Sequence, residues 1–323
     1  MKKSSLKILV SVLLVVILFS ILFDKGYFDT LKEISLEDFF SLVLLTLVGY
    51  FTMGFQMGYM LKLQSGVKLE LMDKLLLPLS MSLFGYIIPA NGGLIYSVYF
   101  LKSKYDLDSS KGFSIGIVSI YISLIISGFF GLGMCFLDSV SGKLSIICLS
   151  IFLILSPAFV FISNKIIQLL NFKEGGFLFK AQVYLNEIVK SSNYLMNNKK
   201  ILIMNFFYTF LYILITFVSF DLLNKLLNLK LDLVSVFLLL VITRVSSLLR
   251  VLPGNLGVEE LYMAGIFKFV GADSGLGIIF NLILRLTTIV LFIPLGIIHF
   301  MLNIKYIKLK DLFRRNKGSK VEG

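Results

Sequence analysis

The chain contains two related stretches that interrupt apolar runs: residues 86–93, which read YIIPANGG, and residues 250–257, which read RVLPGNLG. Each places an apolar pair, a proline, a small residue, an asparagine and then a glycine in surroundings apolar enough to enter a bilayer. An Asp-Ser pair follows each proline, at Asp108-Ser109 and at Asp273-Ser274. Proline and glycine interrupt a membrane helix only where protein or a water-filled cavity satisfies the freed backbone groups. A matched pair of such breaks indicates the substrate site of a membrane transporter.

The composition excludes a soluble protein. Of the 323 residues, 57% are hydrophobic and only 15% are charged, 31 are Phe, and the mean hydropathy is +0.92. Several spans of about 20 apolar residues account for these values. The net charge of +12 does not indicate a nucleic-acid partner, because the basic residues fall between the apolar runs instead of forming one patch. We therefore expect residues 1–323 to form a single integral membrane domain.

The distribution of Lys and Arg predicts the topology. With the N-terminus inside, the intervals assigned to the cytoplasm hold 22 of the 31 basic residues and those assigned to the outside hold five. This bias sets the orientation. The N-terminal run ends without a small-residue cleavage site, so we expect a retained helix and not a signal peptide. The apolar runs are 8–23, 39–60, 75–101, 113–136, 144–163, 201–223, 233–270 and 276–303.

Both broken runs are predicted to enter and leave on one side of the membrane. The segments that flank 75–101 are both cytoplasmic, and those that flank 233–270 are both on the outer side. Three full spans separate the two runs, so repeat-like units at about 75–136 and 233–303 are inverted relative to each other. The predicted fold is all-α, with about six full spans and two inverted, Pro-broken re-entrant hairpins whose tips approach each other. The alternative is that each proline merely kinks an ordinary span.

Two cytoplasmic segments have their own character. The interval 164–200 repeats apolar residues at helical spacing, which predicts an amphipathic linker on the membrane surface or a solvated helix that caps the bundle. The tail 304–323 is basic and is expected on the anionic inner leaflet. The spacings Gly54-x-x-x-Gly58 and Gly112-x-x-x-Gly116 permit close helix contact.

Charges at membrane depth are costly and usually face a cavity or a partner. Here they cluster around the second break, where an Arg fork matches phosphate or carboxylate and a helix start near Val258 would offer free N–H groups. The alternatives are that a Glu–Arg pair only clamps the break, or that a Glu takes up a driving proton. The candidate substrate-binding residues are Asn91, Arg244, Arg250, Asn255, Glu259, Glu260 and Arg285, and the backbone positions that shape the breaks are Pro89, Gly92, Gly93, Pro253, Gly254 and Gly257.

No constellation for enzymatic chemistry competes with this interpretation. Cys135 and Cys148 belong to no CxxC or Cys/His cluster, and we expect them to be apolar fillers. His299 is the only histidine, and near the end of the last run it is expected to be packed or interfacial. We predict no enzyme, no metal and no cofactor. The remaining catalytic alternative is an integral-membrane glycosyl- or acyltransferase that uses Glu as a base.

The second break, continued as LPGNLGVEE over 252–260 with Arg285 further on, resembles the second signature of the lysylphosphatidylglycerol synthase/flippase transmembrane-domain family. The stretch 89–102 is similar to the first signature of that family. That signature usually carries a Glu and an Arg after its glycine, whereas this chain has Leu94 and Ser97. The resemblance covers nearly the whole chain, without the cytosolic aminoacyl-transferase domain of the full-length synthases.

The resemblance implies a flippase-like protein that moves a lipid or lipid-linked headgroup, expected to be anionic, across the cytoplasmic membrane of a prokaryote. Both termini are expected in the cytoplasm. The implied partners are membrane lipids, an envelope-biosynthesis enzyme and further copies of the chain. The competing hypotheses are a non-transporting subunit that recruits or stabilises a lipid- or glycan-modifying enzyme, and a secondary transporter of a small solute.

Overall fold

The computed structural model describes residues 34–88, 91–135, 177–246 and 253–307, and within them the fold is entirely helical. This confirms the predicted all-α class. Short 3-10 turns lie at Pro253–Asn255 and Ile304–Tyr306. The α-helices are α1 (Leu36–Ser65), α2 (Leu71–Ile87), α3 (Gly92–Tyr105), α4 (Ser109–Cys135), α5 (Phe177–Asn197), α6 (Lys199–Leu226), α7 (Leu233–Ser246), α8 (Val258–Phe269) and α9 (Ser274–Leu302).

Four of these helices, α1, α4, α6 and α9, are long and apolar enough to cross a membrane. They correspond to four of the six predicted full spans. The other two predicted spans, 8–23 and 144–163, lie outside the described residues. The polytopic membrane character predicted from composition is therefore confirmed by helices of sufficient length and hydropathy.

Polar caps fix the ends of the long helices. The Ser35 hydroxyl accepts from the Asp38 N–H at the start of α1, and Gly66 ends that helix in the left-handed conformation with φ of 72°. Asn198 and Asp273 accept from two backbone N–H groups each at the starts of α6 and α9. These caps satisfy backbone groups that a helix terminus leaves without partners.

The first broken run forms an antiparallel helical pair. The rings of Phe84 in α2 and Tyr96 in α3 stack at 4.1 Å, while Lys104 near the end of α3 reaches Glu70 and Asp73 at the start of α2. A side chain on Gly93 would overlap the Met81 carbonyl. Only a glycine at position 93 therefore lets the backbones of α2 and α3 come this close. At about 1.5 Å per residue, α2 and α3 measure about 25 and 21 Å, less than a bilayer core of about 30 Å.

The second broken run differs from a tight hairpin. Its second half, α8, packs along α9, where the Phe267 ring and the Met263 carbonyl border Gly277. Its first half, α7, packs instead on α4 and α6, with Phe237 at 5.8 Å from Phe217. On α8 the side chains of Met263, Ile266 and Phe267 are buried, whereas those of Leu261 and Phe269 are exposed. Both halves are short, with 14 and 12 residues.

The two broken runs approach the middle of the bundle from opposite ends. At the basic end, residues 62–74, 102–111 and 303–307 lie together, and Asp73 is 3.5 Å from Asn303. At the far end, Phe280 of α9 packs on both Phe220 of α6 and Phe267 of α8. The helix α2 starts at the basic end and α8 ends at the far end, so the two broken runs lie toward opposite ends of the bundle.

The breaks meet at one contact. Residues 253–255 pack against α2, and a side chain on Gly254 would come within 2.6 Å of the Tyr86 ring. Tyr86 also packs on Phe292 of α9 at 4.7 Å. The two breaks therefore approach each other as predicted. On the first break the contact is made by Tyr86, three residues before Pro89. Pro89 itself lies outside the described residues.

The closest contact between α1 and α2 depends on a proline. Pro78 has no N–H, so the Lys74 carbonyl four residues earlier loses its helical donor. Gly54 of α1 lies directly over that carbonyl, where no Cβ could fit, and Gly58 lies over the Lys74 side chain. The predicted GxxxG contact is therefore formed, and it covers the weakened turn of α2.

The described part of the interval 164–200 is the helix α5. Its Ile188 and Leu195 are buried, and its Tyr184 ring meets Phe113 of α4 at 6.3 Å in an edge-to-face contact. Its outer face, with Glu187 and Lys190, is exposed. The helix thus packs its apolar side on α4, as an amphipathic helix that covers the bundle would.

We expect Gly54→Ala to lower the free energy of unfolding by about 1–3 kcal/mol, because the added methyl group would overlap the Lys74 carbonyl. Thermal unfolding in detergent measures the effect. Gly265→Ala is the matched control, since nothing lies within 4 Å of its added Cβ and alanine favours a helix. Equal stability of the two variants would contradict the described α1–α2 contact.

The topology prediction is tested with single cysteines in a variant that lacks Cys135 and Cys148. Lys225→Cys at the far end, where the side chain is 71% exposed, should react with an impermeant thiol reagent added outside intact cells. Ser103→Cys, exposed at the basic end, should react only after permeabilisation. Outside labelling of Ser103→Cys would reverse the predicted orientation.

Candidate functional site

The centre of the second break is the guanidinium of Arg285. It forms ion pairs with Glu259 at 2.9 Å and Glu260 at 2.8 Å, and it donates to the Gly254 carbonyl at 2.7 Å and the Asn255 carbonyl at 3.4 Å. The Arg285 side chain is 5% exposed. Four of the predicted site residues therefore converge around one buried cation.

The two glutamates have different environments. Glu260 is 4% exposed, accepts from the Gly257 N–H at 2.8 Å and receives a hydrogen bond from the Asn281 amide at 3.2 Å. Glu259 is 27% exposed. Both lie in the first turn of α8, where the partial positive charge of the helix start stabilises carboxylates. Both contact Arg285, and only Glu260 is fully enclosed.

The backbone of the break takes left-handed conformations that aim its carbonyls at Arg285. Gly254, Asn255 and Gly257 have φ values of 57°, 51° and 83°. Asn255 is 2% exposed and its amide donates to Glu259 at 3.4 Å. The Tyr86 ring of the first hairpin lies 5.8 Å from the Arg285 guanidinium, which is a cation–π distance. Tyr86 and Asn281 are thus site residues that the sequence analysis missed.

The remaining predicted residues lie elsewhere. Arg244 in α7 donates to the Thr216 hydroxyl at 2.8 Å and stacks over the Tyr212 ring at 4.3 Å. Asn91 precedes α3 with φ of 62°, and its carbonyl accepts from two N–H groups of that helix. Gly92 and Gly93 are buried in the first break, Pro253 begins the 3-10 turn, and Pro89 and Arg250 lie outside the described residues.

A cavity of about 170 Å³ lies between α1, α6 and α9. Six of its lining side chains carry hydroxyl groups, and two of these, Tyr212 and Thr216, also contact Arg244. The cavity therefore combines apolar walls with polar atoms beside a cation. The hydroxyl-bearing residues are Thr46, Tyr50, Tyr212, Thr216, Ser219 and Thr288.

A second polar network lies at the basic end and was missed because its charges were assigned to solvent. Lys104 pairs with Asp73 at 2.7 Å and its side chain is only 8% exposed. His299, fully buried, lies 3.2 Å from the same carboxylate. The predicted packing of His299 agrees with this burial. The spacing of residues along the chain does not reveal the network, because its members lie in three helices, α2, α3 and α9, that are separated in sequence.

The carboxyl of Asp73 lies outside the four candidate spans. Burial alone would raise its pKa, but hydrogen bonds led by those of His299 and Lys104 outweigh that effect and lower the pKa to about 2. No group of three His, Cys, Asp or Glu side chains that could hold a metal ion occurs among the described residues.

The fold and the site define a polytopic helical membrane protein in which two broken segments meet beside a buried ion-pair cluster. A sequence model of the family described as the lysylphosphatidylglycerol synthase TM region matches residues 5–296. The chain belongs to this family. No curated protein and no solved structure matches the chain.

Glu260→Gln should destabilise the protein more than Glu259→Gln. The first change leaves a buried guanidinium with one carboxylate and turns a side-chain NH2 group toward the Gly257 N–H or toward the donors of Asn281 and Arg285, at a cost on the order of 3–5 kcal/mol. The second change affects a side chain that is 27% exposed, so we expect a smaller loss. Unfolding in detergent compares the two variants, and a larger loss for Glu259→Gln would contradict the described burial.

Proposed function

We propose that this protein moves a lipid or a lipid-linked headgroup between the leaflets of a membrane. The observation that carries the proposal is the contact between Tyr86 and residues 253–255, where segments from opposite ends meet in the middle of the bundle. Membership in the lysylphosphatidylglycerol synthase TM region family supports the lipid class of the cargo. We further propose that both broken runs are re-entrant.

The short helices support an alternating-access mechanism. A segment that ends halfway across the bilayer leaves the other half of the membrane thickness to be filled by protein or water. With one such segment from each end, opening the Tyr86–Gly254 contact on alternate sides would expose a polar path to one leaflet at a time. Hydrocarbon tails would stay in the bilayer while the headgroup follows this path.

The charges indicate different roles for the arginines. Arg285 is enclosed by two glutamates and two carbonyls, so we propose that it holds the break instead of binding an anionic headgroup. Arg244 contacts two residues that line the hydroxyl-rich cavity. We propose that Arg244 meets the headgroup there, since a guanidinium matches phosphate oxygens in pairs.

The proposal is tested in vesicles that contain the purified chain and fluorescent lipids with anionic, zwitterionic and cationic headgroups. A membrane-impermeant quencher reports the share of each lipid in the outer leaflet. We expect the protein to accelerate exchange of at least one headgroup class over protein-free vesicles. If exchange of every class equals that of protein-free vesicles, the non-transporting subunit becomes the better hypothesis.

A disulfide between the breaks tests the mechanism in the same vesicles. Tyr86→Cys with Gly254→Cys, in a chain without its native cysteines, places two thiols at neighbouring positions, because a Cβ on Gly254 would lie 2.6 Å from the Tyr86 ring. We expect oxidation to abolish exchange and reduction to restore it. The same double variant kept reduced is the matched control, because any loss of exchange caused by the two substitutions themselves would appear under both conditions. Full exchange in the oxidised double variant would exclude separation of the breaks as a transport step.

A further inference from the structure

A second cavity, of about 610 Å³, lies at the basic end between α3, the start of α4, α5 and the turn that follows α9. Its lining residues are different from those of the hydroxyl-rich cavity and from those of the Arg285 cluster. Its volume falls in the range of sites that hold small ligands and cofactors. The cavity is therefore a separate candidate binding site.

The wall that α3 contributes changes from apolar to charged along the helix. Its lining residues recur at spacings of three and four, so they form one stripe on the helix surface. The stripe begins near the first break with Ile95 and Val98, and it ends at the basic end with Lys102, Ser103 and Asp106. At about 1.5 Å per residue the stripe is about 17 Å long.

The opposite wall has the same polarity. Ser109 lies at the start of α4 at the basic end, and Phe113 lies one turn deeper. The Tyr184 ring of α5 contacts Phe113 at 6.3 Å, and Tyr306 completes the lining at the basic end. Tyrosine combines an apolar ring with a polar hydroxyl, which suits the boundary between the two zones. Walls that are apolar at depth and polar at the end fit an amphiphilic ligand.

The polar end of the cavity carries one positive and one negative charge. Lys102 and Asp106 are both exposed, and within the described residues neither forms an ion pair. They are four residues apart, but Asp106 ends α3 in the left-handed conformation with φ of 51°. Their backbones are separated by about 6 Å along the stripe. Each charge is thus available to a ligand of opposite sign.

We propose that this cavity binds a phospholipid whose headgroup carries both a phosphate and a primary ammonium group. The phosphate contacts Lys102, the ammonium donates to the Asp106 carboxylate, and the chains lie along Ile95 and Val98. The stripe presents apolar groups, then a cation, then an anion, and such a lipid presents its chains, phosphate and ammonium in the same order. The inference concerns binding alone, so a protein that exchanged no lipid between leaflets would still have this site.

The experiment uses tryptophan fluorescence, because the sequence contains no Trp. Phe113→Trp places a single indole beside the apolar part of the cavity. The purified full chain with this change is titrated in detergent with phosphatidylethanolamine or phosphatidylglycerol that carry brominated chains, which quench a nearby indole. We expect half-maximal quenching by phosphatidylethanolamine at a roughly threefold lower concentration, the factor of one partly exposed ion pair. Equal quenching by the two lipids would overturn the proposal.

Two substitutions in the same reporter chain assign the contacts. Asp106→Asn should remove the preference for phosphatidylethanolamine, whereas Lys102→Gln should weaken both lipids, because both carry a phosphate. The matched controls are Asp108→Asn, at a carboxylate that pairs with Lys111, and Lys190→Gln, at an exposed lysine on α5, and both should titrate like the parent. The site residues are exposed, so we expect all four variants to unfold at the parent temperature. Parent-like titrations of both site variants would also overturn the proposal.

A soluble competitor separates a lipid site from a site for a free zwitterion. Phosphoethanolamine has the same phosphate and ammonium groups but no chains. We expect unbrominated phosphatidylethanolamine to reverse the quenching and phosphoethanolamine at the same concentration to leave it unchanged. Reversal by both at the same concentration would mean that the chains add nothing to binding, and it would overturn the assignment to a lipid.

Discussion

The burial of one guanidinium constrains the centre of this protein. Arg285 lies inside a long apolar helix, where a charge without partners would be very costly. Its partners come from a loop and a helix start, and they reach it only because residues 253–257 leave the helical conformation. The break in the second run is therefore required by the arginine. The position of the break in turn brings Gly254 against Tyr86 and fixes where the first hairpin ends.

The helix α9 connects the two polar networks. Arg285 binds the second break and His299 binds α2 of the first hairpin, and at about 1.5 Å per residue the two side chains are about 21 Å apart along the helix. Each network is buried, and each joins α9 to a segment that enters from a different end. A rigid α9 with a polar attachment near each end would allow the two segments to move separately.

Much of this arrangement follows from the sequence, and the exceptions have physical causes. The paired Pro-Gly motifs and the distribution of Lys and Arg indicated two opposed breaks, and the cluster of Arg285 with Glu259 and Glu260 could be expected from proximity in the chain. The packing of α8 on α9 could not, because α8 has large apolar side chains on its exposed face as well as on its buried face. Lys104 was missed for another reason. A lysine at a helix end usually contacts water, and its burial depends on Asp73, which is far away in sequence.

The order of synthesis gives the second break a separate significance. Glu259 and Glu260 emerge from the ribosome before Arg285, which follows Glu259 by 26 residues. During that interval α8, which has 12 residues and is too short to span a bilayer, carries two carboxylates whose ion pairs with Arg285 have not yet formed. The ion pairs that hold the second break therefore form only after α9, which carries the arginine, has been synthesised. The second break is thus completed by a residue that follows it in the chain, because both glutamates precede the helix that supplies their shared arginine.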